Sequence, residues 1–191
     1  MEIKIENAKA ALKTADESVK KVLIALLPEL KETEAQTAAN RPITERVKTF
    51  EDACREIGVD SETVQSQWEE AGLTMPDEVA YQKLRIIAAA LNEGWEPQFT
   101  EDEWRWYPWF YLWTEEELSE KDDDWKADHA LISTDDYSGD FAGFASARSL
   151  PAPSGTGASF GSRLCFKSEA LATYCGKQFI SLWADFNLIK K

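Results

Sequence analysis

The one imidazole in the chain, His129, stands beside Asp128 in a polar stretch, so any histidine-based acid–base chemistry has to run through it. A Ser–His–Asp set assembles in space rather than in sequence, and no GxSxG segment supports one here. Asp122, Asp123 and Asp124 offer hard oxygen ligands, but they lack the alternating ligands, the glycine and the terminal glutamate of an EF-hand. They read as a solvated charge run. Asp102 and Glu103 beside Trp104 have the composition of a glycosidase carboxylate pair. With 35 Asp and Glu in the chain, such pairs arise by chance. Cys54, Cys165 and Cys175 are odd in number, and no pair has the spacing of a zinc or redox motif. They are expected as buried, reduced thiols. The Gly/Pro/Ser/Ala-rich segment LPAPSGTGASFGS (150–162) has neither GxxxxGK[ST] nor GxGxxG spacing, so it is a connection rather than a phosphate cradle. The chain is read as a non-enzyme, with no cofactor and no metal.

What the sequence offers instead is ring surface. Trp104 to Trp113 (WRWYPWFYLW) carries seven aromatic side chains in ten residues. Pro108 rules out a helix, because it would forfeit a hydrogen bond and clash with the preceding turn. As a strand, the segment places Trp104, Trp106, Pro108, Phe110 and Leu112 on one face. Arg105, Tyr107, Trp109, Tyr111 and Trp113 take the other. Pro108 has no N–H, which puts it at an edge, a bulge or a break. Two aromatic faces suit either a strand covered on both sides, the second by the preceding helices, or an exposed platform. The candidate binding residues are Trp104, Trp106, Tyr107, Trp109, Tyr111 and Trp113. Such a platform could hold a protein, a sugar ring or a base.

Charge narrows those partners. Residues 51–150 hold 25 Asp and Glu against 7 Lys and Arg, a net of −18, while the flanks total +4. An acidic middle repels nucleic-acid phosphates and anionic lipid surfaces. It suits a basic partner, or mimicry of a nucleic acid. No run of about 18 apolar residues is present to span a membrane. The N-terminus MEIKIENAKAALK lacks the apolar core of a signal peptide, so a cytoplasmic location is expected.

The elements that must position the aromatic stretch are set by periodicity. Ile5, Ala8, Leu12, Ala15, Val19, Val22 and Leu26 alternate in steps of three and four, which predicts one long helix closed by Pro28. Its seam is expected to pack within the chain as a hairpin or bundle, rather than as a coiled-coil dimer. A second helix is predicted over about Thr44–Ile57, with Val47, Phe50, Cys54 and Ile57 on one face, Thr44 as cap and Gly58 as stop. A short helix opens at Asp60 or Ser61 and ends near Gly72. Another, capped by Asp77, runs to Asn92 with Ala80, Leu84, Ile87 and Leu91 on its buried face. After Trp95 come strand candidates at 104–113, 141–150 and 163–166, with a weaker one at 129–134. Glu115 to Asp128 is expected as an acidic loop or frayed helix. A closing helix opens at Ser168 with Leu171, Cys175, Phe179, Leu182 and Phe186 buried and Trp183 beside them. Gly176 in mid-helix costs roughly 1 kcal/mol, tolerable if the backbone there approaches the aromatic strand. The fold class is therefore α+β, a helical region (1–94) followed by a small, mostly antiparallel sheet covered by a C-terminal helix (95–191).

Three stretches, RPITERVKTFEDACREIG (41–58), LRIIAAALNEGWEPQFTEDEWRWYPWF (84–110) and GSRLCFKSEALATYCGKQFISLWADFNLI (161–189), carry a resemblance. Together they resemble an uncharacterised protein family of Bacteroides-type bacteria and their phages and prophages, in which a YPWF-like segment precedes a GSRLCFKS…LA.Y.GKQF…DF close. The resemblance implies a phage or mobile-element setting, in the cytoplasm of the bacterial host or in a phage particle. It carries no catalytic residue to this chain. The expected function is a non-catalytic interaction or structural protein that binds a protein partner or itself. A carbohydrate- or small-molecule-binding module using the Trp/Tyr cluster is the alternative, and an acidic nucleic-acid mimic that inhibits a host enzyme is a weaker one.

Overall fold

The computed structural model describes residues 5–27, 30, 40–98, 100, 102–153 and 162–191. The chain divides into two compact units, 1–46 and 47–191. The change of character at Trp95 thus marks a change of secondary structure, whereas the compact units part after Arg46.

In the first unit, the long helix predicted from Ile5 is two helices, α1 (Ile5–Thr14) and α2 (Glu17–Leu26). The break has a local cause. Asp16 turns extended, and its carboxylate accepts from the Ser18 and Val19 amides, starting a new helix. The seam is divided with it. Ala8 and Leu12 are buried with Leu30, and α2 meets them through Leu23, Ile24 and Leu27. Ile5, Val19, Val22 and Leu26 are left exposed. The two halves of the predicted helix thus pack on each other, within the chain, instead of packing as one helix on another element. The expected stop at Pro28 and the polar stretch 31–39 lie outside the described residues. A single turn, α3 (Ile43–Arg46), ends the unit.

The second unit begins with α4 (Phe50–Glu56). It is capped by Thr49 rather than Thr44, in a reciprocal box with Asp52. Val47, Phe50 and Cys54 are buried as expected, with Ala53 beside them, while Ile57 is exposed beyond the helix end. Gly58, at φ +74°, makes the stop. Helix α5 (Ser61–Glu70) is capped by Asp60, and α6 (Pro76–Asn92) starts with Pro76 in its first turn. Its cap is Met75, not Asp77. Ala80, Leu84, Ile87 and Leu91 form the buried face predicted for it.

The sheet has three antiparallel strands in the order β1-β3-β2: β1 (Trp104–Trp113), β2 (Ile132–Ser133) and β3 (Gly143–Pro153). In β1–β3 the pairing shifts by one residue between Trp109 and Phe110, leaving Ala147 as a bulge. The predicted strand at 163–166 is a 3₁₀ turn (Ser162–Leu164) followed by a single bridge, Phe166 to Trp106. The segment at 129–134 shrinks to the two residues of β2. The connection 154–161 lies outside the described residues.

One sheet face is covered by the closing helices; the other is covered only in part, and not by the elements expected. Glu115–Asp128 is two short helices, α7 (Glu115–Ser119) and α8 (Asp123–Asp128). They fold back onto the strand, so part of the second face is closed by the segment C-terminal to β1, not by the helices before it. Trp125 of α8 meets the Trp113 ring edge to face at 5.1 Å. A Cβ on Gly143, which pairs with Trp113, would lie within 3 Å of Leu131 and Leu118.

The closing element is also two helices, α9 (Glu169–Gln178) and α10 (Ile180–Asn187). The buried residues run 171, 172, 175, 176, 179, 180, 183 and 184, a stripe that repeats every fourth residue. On a regular helix such a stripe drifts by about 40° per step. The break at Phe179 lets the stripe continue from α9, which packs on the sheet, into α10, which packs mainly on α6. Trp183, expected beside the face, is fully buried in it, and Leu182 and Phe186 are only half-buried. Gly176 is where the helix touches the sheet. A Cβ there would lie 3.1 Å from Pro108 Cβ and 3.2 Å from Ser146 Oγ.

Candidate interaction site

The outer edge of β1 is built by backbone parity. Trp106 donates its N–H to the Phe166 carbonyl at 3.0 Å and accepts the Phe166 N–H at 2.8 Å, both on the side away from β3. Even-numbered residues of β1 therefore aim their main-chain groups outward. Pro108, next on that edge, has no N–H to offer, so the proline falls where a sheet tolerates it. Phe110 and Leu112 come after it. Among the described residues, Phe166 supplies the only bridge on this edge, and the edge beyond Pro108 stays open.

Beside the open stretch lies a groove of about 290 Å³ lined by Trp109, Phe110, Tyr111, Leu112, Phe144, Asn187 and Leu188. Its floor is ring on ring. Phe110 stacks on Phe144 at 4.8 Å and meets the buried Trp183 at 5.3 Å. Trp183 is fixed in turn by burial and by its contact with Cys175, whose thiol burial pushes up to about 12. The rim is apolar and wet: Tyr111 is 45% exposed and Leu112 36%. Leu112 and Leu188 continue into a smaller hollow with Phe141 and Tyr137. That end is held by the chain terminus. Tyr137 donates to the Asp185 carboxylate at 2.6 Å, Lys190 pairs with the same carboxylate at 2.8 Å, and Ser138 N–H donates to the Ile189 carbonyl at 2.7 Å.

The six candidate residues do not form one platform. Tyr107 is buried with Arg105, and its phenol lies beside the Cys165 thiol. Burial pushes that thiol up to about 11. Tyr107 therefore offers no ring to a ligand. Trp104, 57% exposed, and the half-buried Trp106 sit at the far end of the strand. Trp113 is drawn into a second cluster with Trp125, and Lys121 stands 5.3 Å from its ring centre. Its indole N–H is buried with no partner among the described residues. Only Trp109 and Tyr111 line the groove. Phe144, Asn187 and Leu188 were invisible as site residues in sequence. They arrive from a partner strand and from the end of the last helix, and no spacing signals that meeting.

The residues singled out for acid–base or metal chemistry make local structural contacts. His129 stacks on Trp125 at 4.1 Å, its Nδ1 lies 2.9 Å from the Trp125 carbonyl oxygen, and Asp128 is 3.7 Å away and paired with Lys177. Asp122 caps α8 by accepting the Trp125 amide at 2.7 Å. Among the described residues, no group of three or more His, Cys, Asp and Glu side chains is placed to hold a metal ion. No helix among them is long and apolar enough to cross a membrane.

No protein-family model, no curated protein and no solved structure matches the chain.

Proposed function

We propose that this is a non-catalytic binding protein that takes an extended segment of a partner protein along the open edge of β1. One observation carries the reading: main-chain groups of Phe110 and Leu112 lie unbridged, among the described residues, next to an apolar groove. Strand addition uses that pairing. Main-chain hydrogen bonds supply affinity, and pockets for alternate side chains supply selectivity. The −18 net charge of residues 51–150 favours a partner segment with basic flanks. The phage or mobile-element setting implied by the resemblance belongs to this proposal, as does a cytoplasmic site of action.

The outward N–H of Leu112 makes the test selective. Leu112→Pro removes that donor and leaves the bonds to β3, as Pro108 already does. The expected result is a cooperatively folding variant that no longer captures displayed extended peptides selected by the wild-type chain, while Leu112→Ala retains most of the capture. Equal capture by Leu112→Pro would refute edge pairing. If the proline variant fails to fold, Leu112→Lys tests the groove through an exposed side chain. A doubled mass in light scattering, abolished by the same variants, would make the partner segment a second copy.

The second reading is a ring-stacking ligand such as a sugar, favoured by Trp109 and Tyr111 sharing the groove. Titrating tryptophan fluorescence against a glycan panel tests it, and silence across the panel removes it.

A further inference from the structure

A different cleft lies at the end of α6, away from the aromatic groove. It has a volume of about 380 Å³, and its walls include Arg85, Ala89, Asn92, Trp95, Glu96 and Arg163. That volume falls within the roughly 300–1,000 Å³ range of small-ligand sites.

The cleft is assembled by devices that can be traced residue by residue. Arg85, Ala89 and Asn92 are one stripe of α6, at i, i+4 and i+7. They supply a cation, a short side chain that leaves room, and a clamp. Asn92 is buried, and both ends of its carboxamide are hydrogen-bonded. Its amide donates to the Cys165 carbonyl at 2.8 Å, and its side-chain oxygen accepts the Lys167 amide at 3.0 Å. With Leu164, Cys165 and Phe166 all buried, this clamp fixes the 3₁₀ turn that brings Arg163 to the cleft. The opposite wall depends on two left-handed residues, Glu93 at φ +50° and Gly94 at φ +81°. They reverse the chain after α6 and bring the half-buried Trp95 alongside.

Charge makes the cleft unusual. The chain carries 35 acids against 21 bases, yet the two guanidinium groups here form no ion pair with any described residue. Arg85 donates to Gln82 at 3.1 Å and lies over the Tyr81 ring. Arg163 stands exposed in the middle of its turn. One carboxylate, Glu96, lines the cleft itself, while Glu93 at the end of α6 is paired with Lys167 at 3.0 Å. The lining thus holds two cations and one anion inside an acidic unit. Guanidinium groups match phosphate oxygens with paired N–H donors, and an indole face stacks on flat rings. The Glu96 carboxylate can accept from a ring amino group or a sugar hydroxyl.

We propose that this cleft binds a phosphate-bearing flat ring, a mononucleotide, with Arg85 and Arg163 on the phosphate and Trp95 on the base.

Calorimetric titration of the full chain tests the proposal with the four common nucleoside 5′-monophosphates, their nucleosides and inorganic phosphate. At least one monophosphate is expected to bind at least about tenfold tighter than its nucleoside and than inorganic phosphate. Arg163→Gln and Arg85→Gln should each weaken it at least about tenfold. Both side chains are exposed, so thermal midpoints should stay unchanged. Three results would overturn the proposal: no monophosphate binding above the double Arg85→Gln/Arg163→Gln baseline, binding unaltered in that double variant, or inorganic phosphate binding as tightly as the nucleotide.

Discussion

Gly176→Ala turns the contact between α9 and β1 into a measurable sign. In an open helix interior this substitution stabilises by roughly 1 kcal/mol, because alanine restricts the unfolded chain and suits the helix. Here the added methyl would stand 3.1 Å from Pro108 Cβ, 3.2 Å from Ser146 Oγ and 3.7 Å from Phe110 Cε1. Pro108 is fully buried and tied into the strand by its ring, so it has little room to retreat. Ser146 is buried as well. Overpacking of this kind costs about 1–3 kcal/mol. The helix gain offsets part of that, leaving a net destabilisation of about 0–2 kcal/mol. For a chain of this size each kcal/mol lowers the thermal midpoint by about 2–4 °C. Urea unfolding monitored by circular dichroism would read both the midpoint and the slope. Ser146→Ala removes one of the two tight contacts. In a double-mutant cycle, Gly176→Ala should cost less in the Ser146→Ala background, with a coupling of at least about 0.5 kcal/mol. If Gly176→Ala alone raises the midpoint, and the cycle shows no coupling, the close approach of helix to strand is wrong.

The same contacts and caps carry further outcomes. Asp16→Ala removes the cap that starts α2 and should speed amide exchange across 17–26 while exchange in the second unit is unchanged. Tyr137→Phe deletes the 2.6 Å bond to Asp185 and should cost about 1.5–3 kcal/mol, read by chemical denaturation; an unchanged midpoint would mean the terminal clasp contributes nothing. Burial holds the Cys165 and Cys175 thiols at about 11 and about 12, above their ordinary value of 9.0. The unfolded chain therefore releases these protons first. The stabilisation is complete below about pH 9 and is lost as pH rises through about 11–12. Cys175→Ala should flatten that alkaline loss in stability-against-pH curves. The Asp52 carboxyl moves the other way. Burial raises it, but the Lys48 and Thr49 amides and Arg55 outweigh burial and hold it below 3.8. Its contribution is present above about pH 4 and is lost on acidification. Asp52→Asn should lessen the loss of α4 helicity between neutral pH and about pH 3.

Local signals in this chain act over a few residues, and those were legible. The proline in a ring-rich run specified a strand rather than a helix, and β1 has the limits expected of it, Trp104 to Trp113. Asp60, Gly58, Gly72 and Ser168 set helix ends where their side chains or left-handed backbones require. Even the oddity of Gly176 pointed to a close approach, because glycine in mid-helix needs a reason.

The misread elements were decided between competing local options or over long range. Asp16 could sit on a helix or start one, and packing of Leu23, Ile24 and Leu27 onto Ala8 and Leu12 selected the break. The periodicity of α9–α10 allowed Trp183 on either side, and the sheet below it chose the inner one. The candidate sites were less accessible still. The groove joins residues 109–112, 144 and 187–188, and the cleft joins 85–97 to 163. The sequence alone determined which side chains were available: seven rings in ten residues, an acidic middle and few arginines. Tertiary structure alone decided which rings were buried, which edge stayed open and which two arginines line one cleft. Those outcomes depend on contacts between segments far apart in the chain, where no residue spacing carries the information.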